Sequence, residues 1–464
     1  MRICLVNTNR IKPPISPIGI EYVAEALSAA GHLVSVLDLC WEDHWGTAIA
    51  RFFKGTDFNL VGVTLRNTDD CAFTSRQSFL AEFAAMVNTI RGQTDALIVL
   101  GGVGFSTMPE QIMSLCKADA GIWGDGESAF VELANRIEKK QEWSDVPDLI
   151  LRRDGKWCRN PPSAQPLNLP RMSRRWVDNK RYFREGGQIG IETKRGCPRP
   201  CIYCADPVAK GRKVRTRPPK DIVDEMERLI EQGINCFHTC DSEFNVPERH
   251  AMEVCREIIR RDLAGKMSWY AYCSPVPFSK ELVSLMCGAG CAGVNFGVDS
   301  GDENMLKRLK RNFTPRDIAN AALLCRGAGI PVMFDLLLGS PGETRESIIR
   351  TIELMRLAEP DRVGVSVGVR VYPGTELAEL VKKDELKKGL TGGKGGEPLF
   401  FIEPEISPFV FELLDELVGD DRRFFFFDPS RPDRNYNYNA NQRLVDAISK
   451  GYRGAYWDIL RRVG

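Results

Sequence analysis

Three cysteines in the segment KRGCPRPCIYCADP form a C-x3-C-x2-C pattern, at Cys197, Cys201 and Cys204. Thiolates are soft ligands that suit iron–sulfur clusters, and a loop allows three side chains to converge on one cluster. A zinc site is the alternative, but zinc normally takes four protein ligands, and no matching fourth ligand lies nearby in the sequence. The pattern therefore predicts a [4Fe–4S] cluster with three protein ligands, which leaves one iron open to bind a substrate or cofactor.

The remaining cysteines do not indicate a second cluster. The chain has 15 cysteines, spread thinly and without an export signal, so we expect thiols rather than disulfides. Two further C-x3-C pairs, Cys236/Cys240 and Cys287/Cys291, fall on a predicted strand and beside glycines after a predicted helix. Neither place offers a loop with several converging thiols, so both pairs are interpreted as structural.

The cysteine loop follows the first of six β-like runs that alternate with amphipathic helices. These runs are QIGIETKRGC, NCFHTCDS, MSWYAYCS, AGVNFGVDS, PVMFDLLLG and RVGVSVGVRVYP. Six βα units curl naturally into a partial barrel, and the active site of such a barrel lies at the carboxyl ends of its strands. The pattern therefore places the three cysteines at the catalytic end.

The triad, with Tyr203 just before its last cysteine, resembles the signature of radical S-adenosylmethionine (SAM) enzymes. Four later segments resemble family segments in the family's order: DSEFN, GVDSGDENMLKRLKRNFT, LLLGSPGET and VYPGTEL. The resemblance extends from about residue 187 to 380. It implies that the open iron chelates the amino and carboxylate groups of SAM, and that electron transfer cleaves SAM to a 5′-deoxyadenosyl radical.

The resemblance also implies which residues contact SAM. The expected contacts are Tyr203 near the adenine, Asp241 and Glu243 near the methionyl amine or the ribose, Asp299 and Ser300 near the ribose, and Gly339, Pro341 and Gly342 in a flanking loop. The alternative for each carboxylate is a salt bridge at the barrel rim. The alternative for the loop is a simple turn, since a Pro-Gly pair is by itself a turn signal.

The region before the barrel also alternates short β-rich runs with amphipathic helices, from Met1 to about Cys158. This alternation implies a parallel sheet covered on both faces, so we expect a doubly wound domain. Through SPIGIEYVAEAL, TLRNTDD, LGGVGFSTMPEQI and GIWGDGESAFVEL it resembles the cobalamin-binding domain that precedes the barrel in many radical SAM enzymes. Its glycine-rich turns alone would fit any doubly wound domain. The contacts that the resemblance implies for cobalamin are Pro17, Gly19, Leu65, Arg66, Gly101, Gly102, Gly104, Gly124, Gly126 and Glu127.

The chain lacks the Asp-x-His-x-x-Gly motif that supplies a histidine to cobalt in other cobalamin proteins, and none of its four histidines fits that role. This is the usual state in the radical SAM branch. Arg66, at the end of a predicted strand, is the candidate for the residue beneath the lower cobalt face, where a cation would disfavour coordination and assist methyl transfer. The alternative is an Arg66 side chain paired with Asp69 or Asp70.

The predicted fold class is α/β. We expect a doubly wound, Rossmann-like cobalamin-binding domain (1–158), a linker (159–186), a partial (βα)6 TIM-like barrel (187–392) and a small α+β C-terminal extension (393–464). In the extension, FFFF at 424–427 is predicted as a buried strand rather than a membrane-seeking segment, because charged residues flank it. Aromatic and amide residues of the tail either bind substrate or, as we favour, seal the barrel bottom: Tyr436, Asn437, Tyr438, Asn439, Tyr452, Tyr456 and Trp457.

Composition limits the partners. Sixty-three Lys and Arg against 62 Asp and Glu leave a formal charge of +1, so no overall field draws the chain to nucleic acid. The sequence contains no run of about 18 apolar residues without a charge, so we expect no membrane span. We therefore expect a cytoplasmic protein without a signal peptide.

The resemblance implies an enzyme that methylates an unactivated carbon, with one SAM to methylate cobalamin and another to make the radical. Cyclisation, carbon–carbon coupling or rearrangement with the same cofactors is one alternative, and a non-catalytic cobalamin or redox carrier is another. The expected cofactors are the [4Fe–4S] cluster, SAM and cobalamin. The expected partners are a small-molecule, peptide or lipid-like substrate and an electron donor such as flavodoxin or ferredoxin.

Overall fold

The structure is a computed structural model that describes residues 1–163, 167, 169–383, 386–428, 430–435 and 441–464. Its strands and helices form two α/β domains joined by a connector, as the sequence predicts. Among these residues, no helix combines the length and the apolar character needed to cross a membrane.

The first domain contains a seven-stranded sheet within the described part of the chain. Its strands are β1 (Arg2–Asn7), β2 (Leu33–Asp38), β3 (Leu60–Thr64), β4 (Leu97–Gly101), β5 (Ala120–Ile122), β6 (Leu149–Arg153) and β7 (Lys156–Arg159). Their order is β2-β1-β3-β4-β5-β6-β7, with β1 to β5 parallel and the last two strands antiparallel. The order reverses between β1 and β3, and ligands of doubly wound folds bind beyond the carboxyl strand ends at such a point.

Helices cover both faces of this sheet, as predicted. They are α1 (Ile18–Ala29), α2 (Trp45–Phe53), α3 (Leu80–Arg91), α4 (Val103–Thr107), α5 (Pro109–Leu115) and α6 (Glu127–Glu138). Helices α1 and α6 bury apolar side chains against one face, and α2, α3 and α5 do so against the other. The first helix buries Ile20, Ala24 and Leu27 along one face and ends before Gly31, whose φ is 90°.

The connector contains α7 (Asn179–Arg184) and leads into a second parallel sheet. Its strands are β8 (Gly190–Ile191), β11 (Cys236–Thr239), β12 (Ser268–Cys273), β13 (Cys291–Asp299), β14 (Val332–Leu338), β15 (Arg362–Val367) and β19 (Phe424–Phe426). Short strand pairings beside it are formed by β9 (Lys194–Arg195), β10 (Arg215–Thr216), β16 (Val369–Arg370), β17 (Leu390–Thr391) and β18 (Phe400–Phe401). The order β8-β11-β12-β13-β14-β15-β19 contains the six predicted strands in sequence.

The seventh strand of the barrel comes from the phenylalanine run, which is a buried strand as expected. Strand β19 pairs in parallel with β15, although it lies in the segment predicted as the C-terminal extension. Phe424 and Phe426 pack into the core between sheet and helices, and Phe425 packs against the C-terminal helices. The barrel sheet therefore extends beyond the six strands that the sequence pattern reveals.

Helices of the second domain surround the sheet. They are α8 (Asp206–Lys210), α9 (Pro219–Glu231), α10 (Glu248–Arg260), α11 (Lys280–Gly288), α12 (Glu303–Arg308), α13 (Pro315–Gly327), α14 (Arg345–Ala358), α15 (Glu376–Leu380), α16 (Val410–Val418), α17 (Gln442–Ser449) and α18 (Tyr456–Arg462). Alternate residues of the strands, such as Phe237, Trp269 and Phe296, pack under these helices in one large apolar core. The other residues of each strand therefore face the barrel interior.

Helix α18 closes the amino-terminal end of the barrel interior. The Tyr270 hydroxyl donates to Asp458 Oδ2 at 2.7 Å, and Trp457 lies against Gly293, where an added Cβ would stand 2.9 Å from the indole ring. Tyr456 and Trp457 are both 2% exposed. This agrees with the interpretation that the tail seals the barrel bottom. The tail residues Tyr436, Asn437, Tyr438 and Asn439 lie outside the described residues.

A buried ionic network joins the two domains. Arg174 of the connector donates to Glu21 of α1 and to Glu225 of α9, both at 2.7 Å, and these three side chains are fully buried. Arg217 donates to the other oxygen of Glu225 at 2.7 Å and to the Tyr22 hydroxyl at 2.9 Å. Because each charge depends on partners from another segment, the network holds the first domain in one orientation on the barrel.

Candidate cofactor and substrate site

The cysteine loop runs from β9 to α8, at the carboxyl end of the barrel strands. Gly196 has φ of 87°, and an added Cβ there would clash with the carbonyl of Lys213. The Cys197 amide donates to Gly211 O at 3.0 Å, and the Cys204 amide donates to Cys201 O at 3.4 Å. Cys197 is buried, while Cys201 and Cys204 are half-buried. The glycine and these hydrogen bonds fold the loop so that it presents all three thiols.

The three thiols influence one another. Burial raises the pKa of Cys197 to about 11, and it raises the pKa of Cys204 further, with added contributions from Asp206 and the other two cysteines. Within the described residues, no three His, Cys, Asp or Glu side chains are grouped to hold a single metal ion. In an iron–sulfur cluster, in contrast, each thiolate binds a separate iron. The donor set, three soft sulfurs on one sheltered loop, fits such a cluster.

Three of the predicted SAM contacts meet beside this loop. The Tyr203 hydroxyl donates to Asp299 Oδ2 at 2.6 Å, and Asp299 itself is 5% exposed with φ of 62°. Glu243 pairs with Arg199 at 2.9 Å. Arg311, which was not among the predicted site residues, lies between these groups, 3.3 Å from Asp299 and 3.9 Å from Glu243. Tyr203, Glu243 and Asp299 thus come together as expected, around an unexpected cation.

Two other predicted SAM contacts already have structural partners. Asp241 accepts hydrogen bonds from the Thr193 amide and hydroxyl, at 2.9 and 2.7 Å, and from the Lys194 amide at 3.1 Å. Ser300 is fully buried, and its hydroxyl lies 3.1 Å from that of Thr351 on α14. These contacts favour the alternative of a structural carboxylate at Asp241. A contact of either residue with SAM stays a prediction.

The loop after β14 reaches the same end of the barrel. Gly339 and Gly342 have φ of 92° and 83°, and the Gly342 amide donates to Glu403 at 2.6 Å. An added Cβ at Gly342 would clash with the Arg308 guanidinium, while Pro341 between these glycines is half-buried. The loop needs its glycines for this tight course, and its contact with SAM stays a prediction.

Glycines of the first domain allow close backbone packing behind Arg66. Gly102 has φ of 102°, and a Cβ there would lie 2.5 Å from Leu65 O. A Cβ at Gly104 would lie 2.9 Å from the Arg66 carbonyl, while the Gly104 amide donates to Leu65 O at 3.0 Å. The start of α4, just after Gly101, is thereby pressed against the segment that carries Arg66. Packing alone accounts for these glycines, so their contact with cobalamin stays a prediction.

The other predicted cobalamin contacts lie on two neighbouring turns. Gly19, two residues after Pro17, is exposed, and an added Cβ would meet nothing within 4 Å. Gly124 donates its amide to Ser106 at 3.0 Å, close to Gly126. Glu127, in contrast, binds both terminal nitrogens of Arg195 in the barrel domain, at 2.7 and 2.8 Å. Its carboxylate therefore joins the domains.

Arg66 enters the crevice between the domains. Its Nη1 donates to Asn67 Oδ1 at 3.2 Å, while Asp69 pairs with Arg370 at 3.0 Å and Asp70 binds its own loop. Over the described residues, no ion pair joins Arg66 to a carboxylate, so the alternative pairing with Asp69 or Asp70 is absent. Burial lowers the pKa of Arg66, and the nearby groups that oppose this shift are Cys240, Tyr456, Tyr272 and Cys71.

A cavity inside the barrel is lined by Tyr272 and Asn295, together with residues of the closed end that include Trp457. Tyr272 is 45% exposed although β12 is a central strand, and burial nevertheless raises the pKa of its hydroxyl, with a further contribution from Asp335. The ring therefore faces an enclosed space rather than the outer surface. Asn295 and Asp335 also face the interior, and Asn295 Nδ2 donates to Asp335 Oδ2 at 3.2 Å. Strand alternation in WYAYC, VNFG and MFDL places these three residues on the interior face of the sheet.

The comparisons with known proteins agree with this arrangement. The family model of the radical SAM superfamily matches residues 191–355, and that of the B12 binding domain matches residues 5–134. The tryptophan 2-C-methyltransferase of Streptomyces laurentii is 32% identical, over 98% of this chain and 95% of that protein.

Solved structures with the same two domains superpose closely. Radical SAM methyltransferase TsrM from Kitasatospora setae, with cobalamin and a [4Fe–4S] cluster bound, matches with a TM-score of 0.91 at 29% identity, over 99% of this chain and 97% of that one. A second structure of TsrM, with tryptophan substrate and the SAM analogue aza-SAM, matches with a TM-score of 0.90 at 30% identity, over 100% and 99% of the two chains.

Proposed function

Because the chain belongs to the cobalamin-dependent radical SAM methyltransferases, we propose that it methylates a carbon of a tryptophan-like aromatic amino acid. Its cofactors are a [4Fe–4S] cluster, SAM and cobalamin, which together supply an electron, a methyl group and a cobalt centre that carries the methyl group. The substrate is a small molecule. The observation that carries the proposal is the barrel cavity lined by Tyr272 and Asn295, to which Arg66 of the first domain lies close.

In this proposal Cys197, Cys201 and Cys204 hold the cluster, and Arg66 lies beneath the cobalt of cobalamin. A guanidinium cannot serve as a metal ligand at neutral pH, since it stays protonated even when burial lowers its pKa. Arg66 would therefore offer no ligand atom to cobalt when cobalamin is bound. Two of the four histidines have other contacts: His238 stacks on Tyr270 inside the barrel, and His250 lies 3.2 Å from Thr193 O.

The acceptor occupies the barrel interior between Tyr272 and the pair Asn295–Asp335. An aromatic acceptor ring stacks on the Tyr272 ring, and the Asp335 carboxylate accepts hydrogen bonds from an α-ammonium group. The amino-terminal end of this space is closed by Trp457, which limits the length of the acceptor. The tryptophan in the TsrM structure and the name of the S. laurentii relative support an indole acceptor.

Anaerobic enzyme, loaded with cluster and cobalamin, tests this function with tryptophan and SAM that carries a deuterated methyl group. We expect a product three mass units heavier than singly methylated tryptophan made from ordinary SAM. Indole-3-propionate, which lacks the α-amino group, serves as the matched control and should react poorly. Methylation of other acceptors, with none of tryptophan or its ring-substituted analogues, would contradict the proposal.

The same reaction mixture reports how SAM is used. A hydrogen on an aromatic indole carbon is held more strongly than one at the 5′-carbon of deoxyadenosine, so abstraction there by the 5′-deoxyadenosyl radical is unfavourable. Equal amounts of S-adenosylhomocysteine and 5′-deoxyadenosine would support the radical route expected from the sequence. Methyl transfer without 5′-deoxyadenosine would instead assign a polar transfer to the indole ring. The electron donor of the flavodoxin or ferredoxin class stays a prediction.

A further inference from the structure

In the described part of the chain, one side-chain hydrogen bond reaches the sulfur of a predicted cluster ligand. Its donor is Arg311. It follows α12, and its Nη1 lies 3.0 Å from Cys201 Sγ. The same nitrogen lies 3.4 Å from the Tyr203 hydroxyl. Arg311 and Cys201 are 110 residues apart in the sequence.

The guanidinium is held in this position from several sides. Its Nη2 donates to Gly297 O at 2.6 Å, and its plane lies over the Phe313 ring at 4.8 Å from the centroid. Its Nε lies 3.3 Å from Asp299, and the side chain is 8% exposed. An arginine guanidinium stays protonated in proteins. A fixed, protonated cation therefore donates to the sulfur.

We propose that Arg311, acting through Cys201, raises the reduction potential of the cluster. Hydrogen bonds to cluster sulfurs and nearby charge are among the features that set such potentials. Reduction adds one electron, supplied by a low-potential donor of the flavodoxin or ferredoxin class, and neither forms nor breaks a bond at Arg311. Because the added negative charge lies next to a guanidinium in a sheltered site, the reduced state is stabilised more than the oxidised state.

A neighbouring arginine offers a matched control. Arg199 lies in the cysteine loop itself and pairs with Glu243 at 2.9 Å, while its Nη2 donates to Val276 O at 2.6 Å. It has no side-chain hydrogen bond to a cysteine sulfur over the described residues. Arg199→Gln and Arg311→Gln thus remove the same charge from the same neighbourhood, but only Arg311→Gln removes a bond to sulfur.

The test is a redox titration of the reconstituted full-length protein, followed by electron paramagnetic resonance of the reduced cluster. It is performed without SAM and without an acceptor, so its result is independent of the substrate proposed above and of any contact between Arg311 and SAM. We expect the midpoint potential of Arg311→Gln to become more negative, with a larger change than in Arg199→Gln. Iron content should stay at the wild-type value in both variants.

Two outcomes would overturn the proposal. One is a midpoint potential of Arg311→Gln that equals that of Arg199→Gln or of the wild type, and the other is a shift to a more positive value. Should Arg311→Gln fail to hold a cluster, Arg311→Lys decides the matter. Lysine keeps the charge but replaces the planar fork, whose Nη1 and Nη2 bind Cys201 and Gly297 separately, by a single nitrogen, so the bond to sulfur weakens and the potential should become more negative even though the charge is kept. An unchanged potential in Arg311→Lys would then contradict the proposal.

Discussion

The cluster loop and the crevice at Arg66 lie close together, but the charged side chains of the two regions differ in how they are paired. Around the loop, Arg199, Arg311, Glu243 and Asp299 are paired with one another before any cofactor is considered. In the crevice, the Arg66 guanidinium has no carboxylate partner over the described residues, and Tyr272 is 45% exposed inside the protein. One region is built for a fixed inorganic group, and the other leaves space for larger ligands.

This difference follows from what each region must hold. A cluster is small and rigid, so paired charges can surround it permanently and keep its ligands in place. Cobalamin and an acceptor must enter, and the acceptor must leave as a methylated product, so ion pairs across the crevice would have to break in every cycle. Substitutions in each region test whether the two regions are as separate as their contacts indicate.

Loss of the three cysteine ligands should produce the largest effect. Replacing Cys197, Cys201 and Cys204 together with Ala should abolish the cluster, because each thiolate binds a different iron, and reconstituted wild-type protein should contain about four irons per chain. Iron analysis and absorption spectra of anaerobically reconstituted protein measure this. Cys287→Ala, at an exposed thiol distant from the loop in sequence, is the matched control and should keep its iron. A full cluster in the triple variant would show that the ligands are assigned wrongly.

Replacement of Glu127, a predicted cobalamin contact, tests whether this residue belongs to the crevice or to the junction between the domains. Glu127→Gln removes one of the three carboxylates that face buried Arg195, the others being Glu192 and Asp125, and weakening a hydrogen bond between charged groups costs about 2 kcal/mol. We expect a lower free energy of unfolding in denaturant titrations and a cobalamin affinity close to that of the wild type. Glu303→Gln, which breaks the exposed pair with Lys307, should cost about 1 kcal/mol or less. Reduced cobalamin affinity with unchanged stability would return Glu127 to the cobalamin site.

The sequence predicted those parts of the site that depend on local spacing. Cys197, Cys201 and Cys204 stand within one loop, and Arg66 follows the end of β3 after one residue, so position along the chain was enough to propose them. Arg311 was missed because its partner Cys201 lies 110 residues away, and the pairing of Glu127 with Arg195 spans 68 residues. Tyr272 was missed for another reason. Strand alternation shows which side chains share a face, but it does not show that the face borders a cavity.

Removal of Arg66 should affect methyl transfer while leaving the cluster intact. Arg66→Ala removes a half-buried cation facing the proposed cobalt site, and loss of one such preorganised charge slows a reaction by on the order of 100-fold. Rates of S-adenosylhomocysteine formation measure methyl transfer, and the iron content and the reduction potential of the cluster should not change. In the cobalt(II) form of the wild type, electron paramagnetic resonance should show no splitting from an axial nitrogen. Equal loss of iron and methyl transfer in Arg66→Ala would indicate misfolding rather than a role at cobalt.

Tyr272 should give the smallest of these effects and should act on the acceptor alone. Tyr272→Phe keeps the ring, so the acceptor KM should stay close to that of the wild type, whereas Tyr272→Ala removes the stacking surface. Aromatic pairs contribute about 1 kcal/mol beyond the area they bury, so we expect Tyr272→Ala to raise the acceptor KM by about 5-fold. Cobalamin affinity and iron content should remain unchanged, since the ring lies on the barrel side of the cavity. A lower cobalamin affinity in both variants would instead show that cobalamin also contacts Tyr272. The cavity would then be narrower than the exposed fraction of the Tyr272 ring indicates.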